Sequence, residues 1–351
     1  MNIVYGVSGE GLGHVFEALQ IVVRLKEEGH AVKVLTYGDR AFDSLAAFGP
    51  TRIEGIHLQF DEDGMSLTET FSKNLRCIPF FAANWGRLSA ELEAFRPDVF
   101  ITAYEPFTMV ASHVMGVPLV SMDNQNELLH VSPPPGIDMF AFRLVQLATC
   151  LCTFGARDYI VKSFDKPEGA VAGVHFVAPV IQRDIRALRA SDGNHVLVYL
   201  TKPNAALIEV LRTIDETFIV YCHNHVGEEG NITHRAKGPS FLADLGACKA
   251  IIGTTGFSLI ADAIFLKKPY FGVPLRKQFE QTYNAHYLAA AGFGAYSEAA
   301  SRPELESFFA NLPRYRAKLA RHTLDPSEQE ETLLRVLQSI DRQNASRSRV
   351  L

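Results

Sequence analysis

No apolar run in this 351-residue sequence reaches the ~18–20 residues that a helix needs to cross a bilayer, so a helical membrane span is not expected. Cysteine is scarce and odd in number: five residues, none in a CxxC pair, which argues against a disulfide framework and for buried free thiols. There is no excess of positive charge either. Lys and Arg total 34 against 39 Asp and Glu, a net charge of −5, so the chain has no global electrostatic footprint for nucleic acid. Only Arg342–Val350 is locally basic, and it reads as a frayed end. The opening MNIVYGVSGEG lacks a basic n-region and a long apolar stretch, and reads as a strand and glycine turn rather than a signal peptide. A cytoplasmic location is expected, and peripheral contact at the inner face of a membrane is compatible with it.

What is present is an ordinary globular balance, 47% hydrophobic and 21% charged, in a chain long enough for about two domains. Short β-rich runs alternate with helical spacing. Asn2–Val7 is a strand, Val15–Glu28 a helix and Ala31–Thr36 a strand. Ser89–Phe95 is helical, Asp98–Thr102 a strand, Phe107–Met115 a helix and Leu119–Met122 a strand. The pattern restarts with His195–Tyr199 and continues through strands at Phe218–Cys222, Ala250–Gly253 and Pro269–Val273. This alternation predicts an α/β protein of two Rossmann-like, doubly wound parallel-sheet domains facing across a cleft. The divisions expected are 1–172, 173–326, and a C-terminal helix and tail at 327–351 that returns to the first domain.

Ligands of such sheets bind outside the carboxyl ends of the strands, so the residues after each strand are the ones to inspect. The first strand runs into Ser8-Gly9-Glu10-Gly11-Leu12-Gly13-His14. The glycines Gly11 and Gly13 allow close backbone approach at a helix start and are expected to meet the nucleotide-sugar donor, but the spacing is not the GxGxxG of dinucleotide binding, and no Lys-Ser/Thr follows to make a Walker loop. His14 is an imidazole able to take a proton near neutral pH. Tyr104-Glu105-Pro106 puts a carboxyl after another strand, where it suits either the cleft or a helix N-cap. Asp123-Asn124-Gln125-Asn126 is a polar cluster suited to sugar hydroxyls, with Asp123 open to the same two readings as Glu105. Asp61-Glu62-Asp63-Gly64 contains a DxD but reads as a turn. His223-Asn224-His225 beside Cys222 invites a zinc reading. It is set aside because no partner pair with ligand spacing appears nearby.

The richest segment is Gly253-Thr254-Thr255-Gly256-Phe257-Ser258-Leu259-Ile260-Ala261-Asp262. A strand stops, a Gly/Thr turn follows and a helix begins, which offers backbone N–H groups and a positive dipole end to a phosphate. Thr201, after an earlier strand, is a second phosphate candidate. Asp262 can accept from ribose hydroxyls, and Glu280 and Gln281 open a helix with groups that can chelate a sugar.

Together GEGLGH, YEP, DNQN, GTTGFSLIAD and QFEQ resemble the GT-B glycosyltransferases. They are most like a group of bacterial and archaeal proteins related to the enzyme that adds N-acetylglucosamine to the peptidoglycan lipid intermediate. The resemblance implies that Asp262 stands where relatives carry a ribose-binding Glu, and that Thr254 and Thr255 lie beside the diphosphate. It further implies that Glu280 and Gln281 touch the transferred sugar and that His14 sits near the reaction centre. Ala103 departs from the relatives, which tend to carry Asp there, and this shifts weight onto Glu105. The activity implied is inverting transfer of a hexosyl or N-acetylhexosaminyl group from a nucleoside diphosphate sugar, UDP-sugar favoured, to an acceptor hydroxyl in glycan, glycolipid or cell-envelope synthesis. The base is expected to be His14, then Glu105, then Asp123. Asn124, Gln125 and Asn126 are expected to meet the acceptor, which can be a small molecule, a glycan or a lipid-linked species. No metal or other cofactor is expected to be required. A nucleotide-sugar 2-epimerase and a non-catalytic sugar-nucleotide binding protein are the rival readings.

Overall fold

The structure is a computed structural model, and it describes every residue except 10–11, 56–59, 62–63, 66–76, 165, 168, 170, 223–224 and 349–351. The chain divides into two compact units: Met1–Pro133 with Met139–Pro179 and Pro326–Leu351, and Pro134–Asp138 with Val180–Asp325.

The first unit is built on β1 (Asn2–Val7), β2 (Ala31–Thr36), β3 (Thr51–Arg52), β6 (Val99–Ala103), β7 (Leu119–Asp123), β8 (Asp158–Lys162) and β9 (Val174–Val177). A small hairpin of β4 (Phe60–Asp61) and β5 (Gly64–Met65) stands apart. The sheet order is β3-β2-β1-β6-β7-β8-β9 with every pairing parallel, so the winding reverses between β1 and β6. The period-2 alternation of β1 sends Ile3, Tyr5 and Val7 to one face, where they meet Val15, Ala18 and Val22 of the helix Leu12–Glu27. Val4 goes to the other face, among Leu88, Leu92, Phe107 and Ala111.

The last helix, Glu328–Ser348, returns to the first unit, where Leu333, Val336, Leu337 and Ile340 join the Ile3 face of the core. A buried polar knot holds its start: Lys162 and Gln329 both donate to the carboxylate of Glu17. Glu328 adds an acceptor for the Ala178 backbone N–H at 2.9 Å. Strand β9, which the sequence reading puts beyond the first domain, pairs with β8 and closes this sheet.

Gly6 sets how closely the next layer packs. A Cβ there would sit 1.8 Å from Thr108 Oγ1 and 2.8 Å from Glu105 Oε2, at the start of the helix Pro106–Met115. Gly6→Ala is therefore expected to cost about 1–3 kcal/mol or more through overpacking, read as a lower urea midpoint. An unchanged midpoint would mean that this helix can move away freely.

The second unit contains β10 (His195–Leu200), β11 (Thr217–Cys222), β12 (Gly227–Glu229), β13 (Ile232–His234), β14 (Ala250–Gly253), β15 (Tyr270–Gly272) and β16 (Gly294–Tyr296). Their order is β12-β13-β11-β10-β14-β15-β16, parallel except for the antiparallel edge strand β12. The reversal here falls between β10 and β14. One face packs Val196, Val198, Val220 and Ile252 against Leu207 and Leu211 of the helix Ala205–Arg212 and Phe308 of the helix Arg302–Ala310. Among the described residues, no helix is long and apolar enough to cross a membrane.

Candidate active site

In each unit, the strand ends on either side of the winding reversal carry the groups singled out from sequence. In the first unit these are the ends of β1 and β6, joined by the adjacent end of β7. His14 lies in the first turn of the helix Leu12–Glu27, with Gly13 exposed beside it. Gly11 lies outside the described residues. Asp123 closes β7 and is fully buried. The His14 Nδ1 is 3.6 Å from Asp123 Oδ2 and is itself buried with no hydrogen-bond partner. That separation is just beyond hydrogen-bond length, as is common for catalytic pairs before substrate tightens them. The Gln125 backbone N–H donates to Asp123 Oδ1 at 3.2 Å, and a Gln125 amide turned with its nitrogen inward donates to the same carboxylate.

Tyr104 stacks with His14, with ring centroids 6.5 Å apart and planes nearly parallel at 5°. Its backbone has a φ of 57°, left-handed, which a bulky side chain adopts at a cost of order 1–3 kcal/mol unless its surroundings hold it there. The sequence marks this residue only as a member of the YEP motif and gives it no role of its own.

Two of the expected site groups are occupied by the fold. Glu105 is fully buried and is the N-cap of the helix Pro106–Met115: its two oxygens accept the backbone N–H groups of Phe107 and Thr108, each at 2.8 Å. Burial pushes its pKa up, against the lowering effect of these bonds. It is built in as a cap and does not present a carboxylate to solvent. Asn126 is also fully buried and exchanges hydrogen bonds with Ser121 Oγ at 2.8 and 3.1 Å, so its amide is spent within the unit. Asn124 and Gln125 are half-buried.

In the second unit the turn after β14 is braced from below. Tyr270 Oη donates to the Thr254 carbonyl at 2.7 Å, and Thr255 Oγ1 to the Gln281 carbonyl at 2.7 Å. Asn284 Nδ2 donates to the Thr255 carbonyl at 3.0 Å. Gln281 accepts the Leu275 N–H through its side chain at 3.0 Å. Thr255, Gln281 and Asn284 are thus buried supports of the turn rather than groups aimed outward. Gly253 is needed for packing, since a Cβ there would meet Tyr270 Oη at 2.7 Å and the Tyr199 carbonyl at 2.9 Å.

Gly256 is different. It is the N-cap of the helix Phe257–Phe265, in extended geometry at φ −68° and ψ 137°, and as glycine it brings no side chain of its own to cap the helix. A Cβ at Gly256 meets nothing within 4 Å, and Ser258 in the first turn is exposed. An uncapped helix start under a bare glycine is an anion site in form. Thr201 is exposed in the turn after β10, but the following helix already has a cap, with Asn204 accepting from the Leu207 N–H at 3.0 Å. Glu280 lies half-buried in the first turn of the helix Phe279–Ala290.

Asp262 is half-buried two turns below Gly256, and burial pushes its pKa up to about 7, opposed by the Lys237 ammonium. Lys237 in turn lies over the rings of Tyr199 and Phe241, at 5.0 and 5.3 Å from their centroids. These three residues adjoin the helix Phe257–Phe265 through Asp262, and sequence reasoning missed them because only pairing across the sheet assembles them. Glu62 and Asp63 of the DxD lie outside the described residues.

Residues 1–313 match glycosyl transferase family 1. No curated protein matches the sequence. Among solved structures, the chain is similar to the glycotransferase of kitacinnamycin at 16% identity, over 97% of this chain and 98% of that one, with a TM-score of 0.65. It is similar to the glycosyltransferase VinC in complex with dTDP at 16% identity, over 97% and 100% of the two chains, with a TM-score of 0.60. A spinosyn rhamnosyltransferase complexed with spinosyn aglycone aligns at 15% identity, over 95% and 99%, with a TM-score of 0.60. At such identities the likeness establishes the fold, which is that of the GT-B glycosyltransferases with their two parallel-sheet α/β units. With two sheets of that kind and a match running from Met1 through most of the second unit, the chain belongs to glycosyl transferase family 1.

Proposed function

We propose that this glycosyltransferase moves a sugar from a pyrimidine nucleoside diphosphate, UDP favoured, to an acceptor hydroxyl with inversion at the anomeric carbon. The observation that carries the reading is the pairing of a helix-start histidine with a buried carboxylate at the reversal point of the first sheet. His14 takes the acceptor proton through Nε2, while Asp123 faces Nδ1 and steadies the imidazolium that forms. The acceptor oxygen bonds to the anomeric carbon as the bond to the diphosphate breaks. The uncapped helix start at Gly256 stabilises the departing diphosphate, and Thr254 lies beside it. Asp262 accepts from the ribose hydroxyls, and Glu280 meets the transferred sugar. Asn124 and Gln125 border the acceptor, a small molecule, glycan or lipid-linked species. The dTDP in VinC and the aglycone in the spinosyn enzyme are precedents for this pairing of ligands.

The test is incubation with UDP-, dTDP-, GDP- and CMP-sugars, reading bound nucleotide and, with acceptors added, free nucleoside diphosphate. Binding of none would overturn the assignment. Tight GDP- or CMP-sugar binding with no UDP or dTDP binding would overturn the pyrimidine diphosphate choice. The raised pKa of Asp262 adds a pH signature. A ribose hydroxyl is held best by the ionised carboxylate, so affinity is expected to be full above about pH 7. It should fall as pH drops below that value, at most tenfold per unit. Asp262→Asn should bind weakly and lose this slope; a slope retained in the variant would assign it to another group.

A further inference from the structure

The sequence offers His223-Asn224-His225 without a partner pair, and the fold supplies partners for His225. Strands β12 and β13 form a hairpin at the outer edge of the second sheet, with Gly227 opposite His234, Glu228 opposite Thr233 and Glu229 opposite Ile232. Side chains alternate along a strand, so Gly227 and Glu229 share one face and His234 projects onto it across the hairpin, where the His225 ring meets that of His234. Gly227 contributes no side chain, and the space where its Cβ would stand is open to 4 Å. Two imidazoles and a carboxylate therefore gather beside a glycine that leaves them room to move.

We propose that His225, Glu229 and His234 bind a late first-row divalent cation, zinc foremost. Their nearest ligand atoms all lie within 4.8 Å of one another. Around one tetrahedral zinc, with bonds of about 2.0–2.2 Å, donor atoms stand about 3.3 Å apart. Closing the difference takes about 1.5 Å, within reach of side-chain rotation because His225 and Glu229 are exposed. The two imidazole rings already meet edge to face, with centroids 4.5 Å apart at 73°. No hydrogen bond among the described residues occupies either ring.

The two-nitrogen, one-carboxylate set suits zinc and its borderline neighbours better than magnesium or calcium, which prefer all-oxygen ligands. Glu229 is also paired with Arg212, but Arg212 holds Glu209 as well and keeps a partner when Glu229 turns to the metal. The site is separate from the phosphate turn, since β11 and β10 lie between β13 and β14. Bound metal would pin the edge hairpin to the chain leaving β11, with the ligand His234 three residues before Lys237. Its chemistry there is that of a clasp, and the proposed transfer does not depend on it.

The experiment uses full-length, untagged protein stripped with a chelator and titrated with zinc chloride by calorimetry, with metal content measured after gel filtration. One zinc per chain is expected, and cobalt in its place should give the visible bands of a low-coordinate nitrogen and oxygen site. His225→Ala and His234→Ala should each weaken zinc at least tenfold. His225 is exposed, so His225→Ala keeps the test valid if the His234 variant unfolds. Failure of the wild-type chain to retain zinc, or equal zinc affinity in His225→Ala, would overturn the proposal.

Discussion

His14→Ala is expected to lower the rate of sugar transfer about 10²–10⁴-fold, the range that a positioned general base supplies. The loss should fall on the chemical step. The groups proposed to hold the nucleotide all lie in the second unit, so nucleoside diphosphate affinity should stay near that of the wild type. Asp123→Asn should show a smaller loss in the same step, because the imidazole remains but its Nδ1 faces an amide instead of a carboxylate. Glu105→Ala makes the contrast. Its carboxylate caps a buried helix start, so its removal should cost about 0.5–2 kcal/mol of stability through the lost cap, with turnover per folded molecule largely kept. Single-turnover transfer measured beside urea unfolding separates the three variants. A His14→Ala protein that transfers at the wild-type rate would end the assignment of this histidine as base. A Glu105→Ala protein that is stable but inactive would return the carboxyl to the chemistry.

The pattern of legibility follows from which interactions are local. Strands β1 and β2 are readable to the residue because a compact apolar run bounded by glycine is a local signal. Strand β8 is not, because Lys162 interrupts its apolar pattern and is tolerated in the core only through Glu17 and Gln329, distant in sequence. Strands β12 and β13 are three residues each, too short for periodicity to register. The candidate site divides in the same way. The Gly/Thr turn proposed for phosphate is written in consecutive residues, so it is singled out from sequence alone. The His14–Asp123 pair exists only because β1 and β7 lie either side of β6 in one sheet, so the sequence reading puts His14 first but Glu105 ahead of Asp123. The roles of Thr255, Gln281 and Asn126 as internal supports depend on partners that strand and helix packing bring to them. Polar residues at a strand end suggest ligand contact, but in a tight turn the backbone has first claim on them.

The sharpest test of the phosphate turn is a substitution that strengthens the fold while removing donor binding. Gly256 has the extended backbone of a helix N-cap, open space at its Cβ and no side chain of its own to cap the helix Phe257–Phe265. Gly256→Asp should fit without strain and turn its carboxylate onto the first-turn N–H groups, leaving stability unchanged or raised by a few tenths of a kcal/mol, because glycine is itself a tolerable cap. The same carboxylate occupies the place proposed for the diphosphate. Like charges about 4 Å apart repel by roughly 4 kcal/mol at an effective dielectric of 20, and the new carboxylate would compete with the ligand for the helix N–H groups. A donor KM at least about 100-fold higher is expected, given that each 1.4 kcal/mol is tenfold in affinity. Gly256→Ser caps without charge and should give an intermediate loss, which separates competition for the N–H groups from repulsion. A Gly256→Asp protein with an undiminished melting temperature that still binds donor like the wild type would show that the diphosphate lies elsewhere. The capped helix start behind Thr201 would then be the next place to look, because it is the other strand end at the reversal point of the second sheet.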